Sequence, residues 1–219
     1  MLSIFFSGMK IHKLPKEIMD LLKRDNIDIS EVNDYHIYSI ADNDTPKLSA
    51  DRLEYSLSNA FLTYNLCDIG EIREIYNDIS IMKNEVGEDE LGFNTKKLAR
   101  LFVKYTSRLS IIYREDRTRY SMQFIADILK KLKDEGKISI EDLYNMKESE
   151  VIDIILSSKY GEVFNKWKNA KKVFVSKSEA LGVYFVNHGA KVRYIDPLFI
   201  NTRISCACKI ANKMIEKNL

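Results

Sequence analysis

"IADNDTPKLSADRLEYSLSNAF", residues 40–61, joins a polar, turn-prone run to the opening of an apolar-striped helix. Asp42, Asn43, Asp44 and Pro46 mark a loop, because Asn and Asp bond their own backbone and proline fixes φ. Ser49 is placed to cap the helix after this loop, its hydroxyl accepting a backbone N–H from the first turn. Leu53, Leu57, Ala60, Phe61 and Tyr64 then share one face at helical spacing, which predicts a core helix running to about Leu66. Asp51 and Arg52 sit side by side in its first turn. An acid there is favoured by the helix dipole alone, and Arg52 and Glu54 read equally well as solvated charges of a helix face.

Working outward, Pro15 suits a first helical position, and Ile18, Leu21 and Leu22 predict a short helix over 15–25. Asp28 and Ser30 can cap a further short turn. Downstream, Ile72, Ile75, Ile79 and Met82 predict a helix over 69–82, and "NEVGEDELGFN" (84–94) reads as a loop with a solvated acidic part. Asn94 or Thr95 can cap a long helix to about Tyr113, with Leu98, Leu101, Phe102, Tyr105, Leu109 and Ile112 as its stripe. The next helix, over 117–135, carries Met122, Ile125, Ala126, Leu129 and Leu132 and stops at Gly136. Ser139 with Asp142 marks the cap of a short helix, and helices over 148–157 and 160–168 follow.

After Ala170 the texture changes. "KKVFVS" (171–176), "LGVYFVN" (181–187) and "AKVRYIDP" (190–197) are short, rich in Val, Tyr and Phe, and punctuated by turn residues. With "NHG" at 187–189 as a tight turn, they predict a small antiparallel sheet. An amphipathic helix over 202–217 closes the chain. The expected fold class is mostly α (α+β): a helical body over 1–169, then a small antiparallel β element and a final helix over 170–219.

The 219 residues suffice for one sizeable core or a core plus a small subdomain. Lys and Arg total 34 against 32 Asp and Glu, so the net charge is only +2 and there is no global field to draw in nucleic acid or an anionic membrane. Cys67, Cys206 and Cys208 are no disulfide framework, and free thiols fit a reducing cytoplasm. "MLSIFFSGMK" (1–10) has no basic n-region and is not expected to be a signal peptide. No apolar run approaches the ~20 residues a membrane helix needs.

Chemistry-bearing patterns are few. None of His12, His36 and His188 is followed by Asp or paired with a second His at helical spacing, and the common metal, phosphate and nucleophile motifs are missing. His36, between two tyrosines and just before the Asp-rich loop, either lines a polar site or is a hydrogen-bonded structural residue. His188 reads as a turn residue. Asp42 and Asp44 lack the Gly turn and terminal Glu of a calcium loop and read as turn chemistry. Lys166, Lys168, Lys171 and Lys172 surround Trp167; such a patch can bind nucleic acid or phosphate, although a solvated helix end is its commoner source.

Residues 35–57, "YHIYSIADNDTPKLSADRLEYSL", resemble a bacterial branch of the HD superfamily of metal-dependent phosphohydrolases. "AKVRYIDPLFINTRIS" (190–205) is similar to the strand, Asp-Pro turn and final helix that close those proteins. The resemblance covers most of the chain from about residue 15 onward. It implies a metal site built from a His…His-Asp signature and a distal Asp that opens a core helix. "DRLEY" matches that last context, so Asp51 is the implied ligand of a divalent metal. Such an ion polarises a phosphate and lowers the pKa of bound water. Arg52 would pair with phosphate or brace a carboxylate. His36 and Arg193 are further candidates for substrate contact, although Arg193 and Asp196 read first as a structural pair in the strand-to-helix turn.

No His-Asp dipeptide stands before Asp51. The chain therefore resembles the C-terminal portion of an HD protein, with residues 1–13 as an unrelated start that could cover exposed apolar faces. The implied activity is hydrolysis of a phosphoester or nucleotide, with the missing ligands supplied by a complementing chain or a second copy. The alternative is a non-catalytic interaction or regulatory module on the same scaffold.

Overall fold

The structure is a computed structural model that describes residues 15–32, 34, 37–187 and 189–219. His12, His36, His188 and the proposed covering segment lie outside the described residues. Packing divides the chain into two units. One holds the described residues up to Ser107 together with Arg193–Leu219, and the other holds Arg108–Val192. The pieces expected from composition met instead at 169/170. The described chain is mostly α, with ten α-helices and a small four-stranded sheet.

In the first unit, α1 (Lys16–Arg24) starts after Pro15. Its Ile18 and Leu21 are exposed. Asp28 caps the short turn Ile29–Glu31 through the N–H of Ser30. Ser49 caps α2 (Ala50–Ser58) by accepting the N–H of Arg52 at 3.2 Å. Leu53, Leu57 and Ala60 are buried as their spacing predicts, and burying each Leu is worth about 1.5–3 kcal/mol. The α-helix ends sooner than expected. Residues Asn59–Thr63 widen into a π-turn, in which the N–H of Tyr64 reaches the carbonyl of Asn59 at 3.1 Å.

Residues 69–94 depart from the expectation. The helix α3 stops early (Ile69–Asn77), and β1 (Ile79–Lys83) and β2 (Asp89–Phe93) form an antiparallel hairpin after it. "ISIMK" (79–83) satisfies a period of two as well as its helical reading, and a short apolar run does not decide between them. Asp78 ends α3 and starts the next helix, since its carboxylate accepts the N–H of Thr95 at 2.9 Å. The sheet continues with β3 (Leu198–Phe199), parallel to β2, and β4 (Thr202–Arg203), antiparallel to β3. Gly92 pairs with Leu198 across the parallel step. A Cβ at Gly92 would meet Met82 Sδ at 2.5 Å and Leu198 Cβ at 2.9 Å, so the strands approach this closely only around glycine. Phe93 packs on Phe102, with ring centroids 5.5 Å apart. The final helix is two pieces, α9 (Ile204–Ala207) and α10 (Lys209–Glu216), broken at Cys208.

α4 (Lys96–Tyr113) begins in the first unit and its last residues belong to the second, which continues with α5 (Asp116–Asp134), α6 (Ile140–Asn145), α7 (Glu148–Ser157) and α8 (Gly161–Asn169). Gly136, at φ 68°, ends α5, a conformation that suits glycine. Ser139 and Asp142 form the expected capping box. The buried face of α5 is Phe124, Ile128 and Leu132, joined by Ile138, Ile155 and Phe164. Met122, expected inward, is exposed, so the buried stripe lies slightly out of the expected phase.

The antiparallel sheet expected over 171–196 does not form among the described residues, which make no regular strand there. Alternating Val and Phe favour a strand only where a hydrogen-bonding neighbour exists. Here the segment is held by side chains: Tyr184 packs edge-on against Phe124 at 5.3 Å and donates to the Asp127 carboxylate at 2.5 Å. Among the described residues no helix is long and apolar enough to cross a membrane.

Candidate functional site

The loop before α2 closes on itself. The N–H groups of Ala50 and Asp51 donate to the carbonyls of Ile40 and Ala41, at 2.7 and 3.2 Å. The Asn43 side-chain amide donates to the carbonyls of Ser39 and Leu48, at 2.9 and 3.2 Å. Arg52 fills the inside of the loop. Its Nη1 donates to Asn43 Oδ1 and, at 2.9 Å, to the Lys47 carbonyl, and its Nη2 donates to the Asn43 carbonyl. The Asp42 carboxylate lies 3.9 Å from the same guanidinium. A planar fork of five donors suits this clasp of several acceptors. Arg52 therefore holds the Asp-rich loop in place, where the sequence offered it as a phosphate partner or a brace. The loop is also tied to β2, because Ser39 Oγ donates to the Asp89 carbonyl at 2.8 Å and Lys47 pairs with Glu88 at 2.7 Å.

Asp51, in the same helical turn, is differently placed. It is exposed, and its carboxylate takes no hydrogen bond or ion pair among the described residues. Surrounding chain removes part of its solvent and so pushes the carboxyl above its usual range. The negative charges of Asp42 and Glu54 push the same way, and Arg52 opposes them. The result is a carboxylate on a rigid helix start with its lone pairs open and like charge beside it.

The C-terminal motif has a structural role in the same unit. Asp196 is buried and accepts the N–H of Ser205 at 3.0 Å and its hydroxyl at 2.5 Å, fixing the start of α9. Its own N–H donates to the Pro46 carbonyl at 2.9 Å. Arg193, offered as its partner, is exposed. The arginine that carries this region is Arg203, which sequence reasoning did not single out. Its side chain is only 12% exposed and it donates to both oxygens of Glu90, at 2.6 and 2.9 Å, and to both of Glu85. Glu90 is fully buried, at 0% exposure, and accepts the N–H of Leu48 at 3.0 Å. Arg203 holds the Glu85 carboxyl down to about 2. Burial works against the charge on Arg203, but Glu85 and Glu90 outweigh it and raise its pKa above the usual value. Glu90 is the last of three successive acids and stands directly before Leu91, so the acidic reading of "GEDEL" concealed it.

Among the described residues no group of three His, Cys, Asp or Glu side chains could hold a metal ion. Asp51 fits a single ligand arm, not a whole site. The lysines around Trp167 fall in the second unit, where Lys166, Lys168 and Lys172 border a cavity of about 420 Å³ with an aromatic lining. Compared with protein-family models, with curated proteins and with solved structures, the chain matches none.

Proposed function

We propose that this chain is an HD-superfamily phosphohydrolase-like protein in which Asp51 is the one metal ligand contributed by the described residues. The observation that supports this reading is the contrast inside a single helical turn. Arg52 is consumed by the loop, while Asp51 is exposed and has no hydrogen-bond or ion-pair partner among the described residues, beside the like charge of Asp42. A divalent cation held there would relieve that repulsion, and the chemistry it would supply is polarisation of a phosphoester and a water activated near neutral pH. A complementing chain or a second copy of this one provides the remaining ligands, with His36 as a candidate for substrate contact. The substrate class is a phosphoester or nucleotide, with Arg193 as a further contact. Three free thiols support a cytoplasmic setting.

The second reading is a non-catalytic interaction or regulatory module on the same scaffold, favoured by the exposure of Asp51 as a charge of the helix face. Metal content after mild purification, and hydrolysis of a generic phosphomonoester with added Mn²⁺, separate the two. The phosphohydrolase reading expects a bound metal that Asp51→Ala loses, together with the activity. Unchanged metal content and activity in Asp51→Ala remove Asp51 as a ligand. No metal, no hydrolysis and unchanged stability in Asp51→Ala leave the interaction module.

A further inference from the structure

The second unit holds a cavity whose chemistry is independent of Asp51. It lies between α5, α8 and the irregular segment that follows α8, with a volume of about 420 Å³, inside the roughly 300–1,000 Å³ range of small-molecule pockets. Its aromatic wall is Trp167, Phe174 and Tyr184. Trp167 is fixed by two further lining residues, stacked on Phe124 at 5.5 Å and donating from Nε1 to Ser121 Oγ at 3.3 Å. Tyr184 is fixed by Phe124 and Asp127. Phe174, in contrast, is 90% exposed although it borders an aromatic pocket. An apolar ring left in water beside two anchored rings is placed to close on a flat ligand.

The rest of the lining is cationic. Arg117, Lys166, Lys168 and Lys172 border the cavity, and no acid lines it. Lys166 pairs with Glu162 at 2.6 Å, one helical turn away, as a solvated helix face would have it. Arg117, Lys168 and Lys172 have no hydrogen-bond or ion-pair partner among the described residues. Between Val163 and Ser178 the sequence has five lysines and no acid. A solvated helix end explains one lysine of this kind, and its own neutralising glutamate shows how. It does not explain three uncompensated cations converging on an aromatic pocket. Each repels the others, and a bound anion removes that repulsion while forming charge-assisted hydrogen bonds.

We infer that this cavity binds a nucleoside diphosphate, its base stacked among Trp167, Phe174 and Tyr184 and its phosphates held by Arg117, Lys168 and Lys172. A nucleic-acid strand is disfavoured. It needs a groove that tracks successive phosphates, whereas this is one pocket of single-ligand size on a chain whose net charge is only +2.

The chain has a single tryptophan, Trp167, so its fluorescence reports on this pocket alone. The full-length protein is titrated with adenosine diphosphate in chelator, which leaves any metal site out of the measurement. Adenosine, pyrophosphate and a short single-stranded oligonucleotide serve as the comparison ligands. Adenosine diphosphate should change the emission saturably with a Kd below about 1 mM. Adenosine and pyrophosphate should each bind about tenfold more weakly, having lost the charged or the stacking half of the contact. The doubly substituted Lys168→Gln, Lys172→Gln protein, altered only at exposed positions, should keep its circular dichroism and lose about tenfold in affinity. No saturable change, or an unchanged affinity in the variant, overturns the inference. Adenosine or pyrophosphate binding as well as the diphosphate overturns its charged or its aromatic half, and tighter binding of the oligonucleotide shows a strand surface instead.

Discussion

Two sets of cations in this molecule are arranged in opposite ways. In the first unit, Arg52 and Arg203 are saturated with acceptors. Arg52 is wrapped by the Asp-rich loop, and Arg203 is clamped between a fully buried Glu90 and Glu85. In the second unit, Arg117, Lys168 and Lys172 border an aromatic cavity that no acid lines among the described residues. The first arrangement is what a fold needs from a cation, because a buried charge is tolerated only when it is paired and hydrogen-bonded. The second contributes nothing to the fold that a neutral side chain would not, which makes it the place to look for a ligand. Residue type alone therefore separates neither set, and the acceptors do. Asp51 belongs with the second group although it sits in the first unit, since among the described residues no side chain pairs with it.

The largest effect is expected at Arg203. Arg203→Ala leaves Glu90 charged, buried and unpaired, and should cost about 3–5 kcal/mol in chemical denaturation. A loss under about 1 kcal/mol would show that the clamp does not hold the fold. Arg52→Ala should come next, at about 1–3 kcal/mol, because several carbonyl acceptors of the loop lose their donor at once. Hydrogen exchange of Ala50 and Asp51 should quicken in the same variant, since their N–H bonds to Ile40 and Ala41 close that loop.

A smaller effect comes from pH. Glu85 is held at about 2 against an ordinary 4.5, by its hydrogen bond to Arg203 before all else. A folded pKa below the unfolded one gives a contribution that is complete above about pH 4.5. It is lost as the pH falls through about 2. The Glu85 side chain is 58% exposed, so the contribution is screened to under about 1 kcal/mol. Glu85→Gln should be slightly less stable than the parent at neutral pH, and the difference should close between about pH 4.5 and 2. A gap that persists at the acid end would mean the carboxylate charge is not what matters. The smallest effect sharpens the contrast from the other side. Lys168→Gln with Lys172→Gln should change thermal stability by no more than about 0.5 kcal/mol, and a large loss would place these lysines with the structural set.

Local elements were legible where one short stretch contains both the group and its partner. Ser49 with Arg52, Asp28 with Ser30, and Ser139 with Asp142 are caps three residues long or less, and each forms as its spacing requires. The apolar stripe of α2 was equally plain. Legibility failed where the partner is distant. "GEDEL" reads as solvated acid until Arg203, far along the chain, arrives to bury Glu90 in β2. "ISIMK" reads as helix until β2 pairs with it. The segments 171–176, 181–187 and 190–197 read as strands, but among the described residues no neighbour offers them a ladder there, and Tyr184 packs into an aromatic cluster instead. The metal-ligand reading of Asp51 came from resemblance. The structure adds that among the described residues this carboxylate has no hydrogen-bond partner while its neighbour Arg52 has several.

Most helix starts, their caps and the mostly helical class follow from the sequence alone, because capping and amphipathic spacing act within a few residues; the extent of α2, of α3 and of the final helix does not. Only the tertiary structure decided which charges are structural and which are available. A charge is neutralised by whatever the folded chain brings within hydrogen-bonding distance, and that partner can be more than a hundred residues away, as Glu90 is from Arg203.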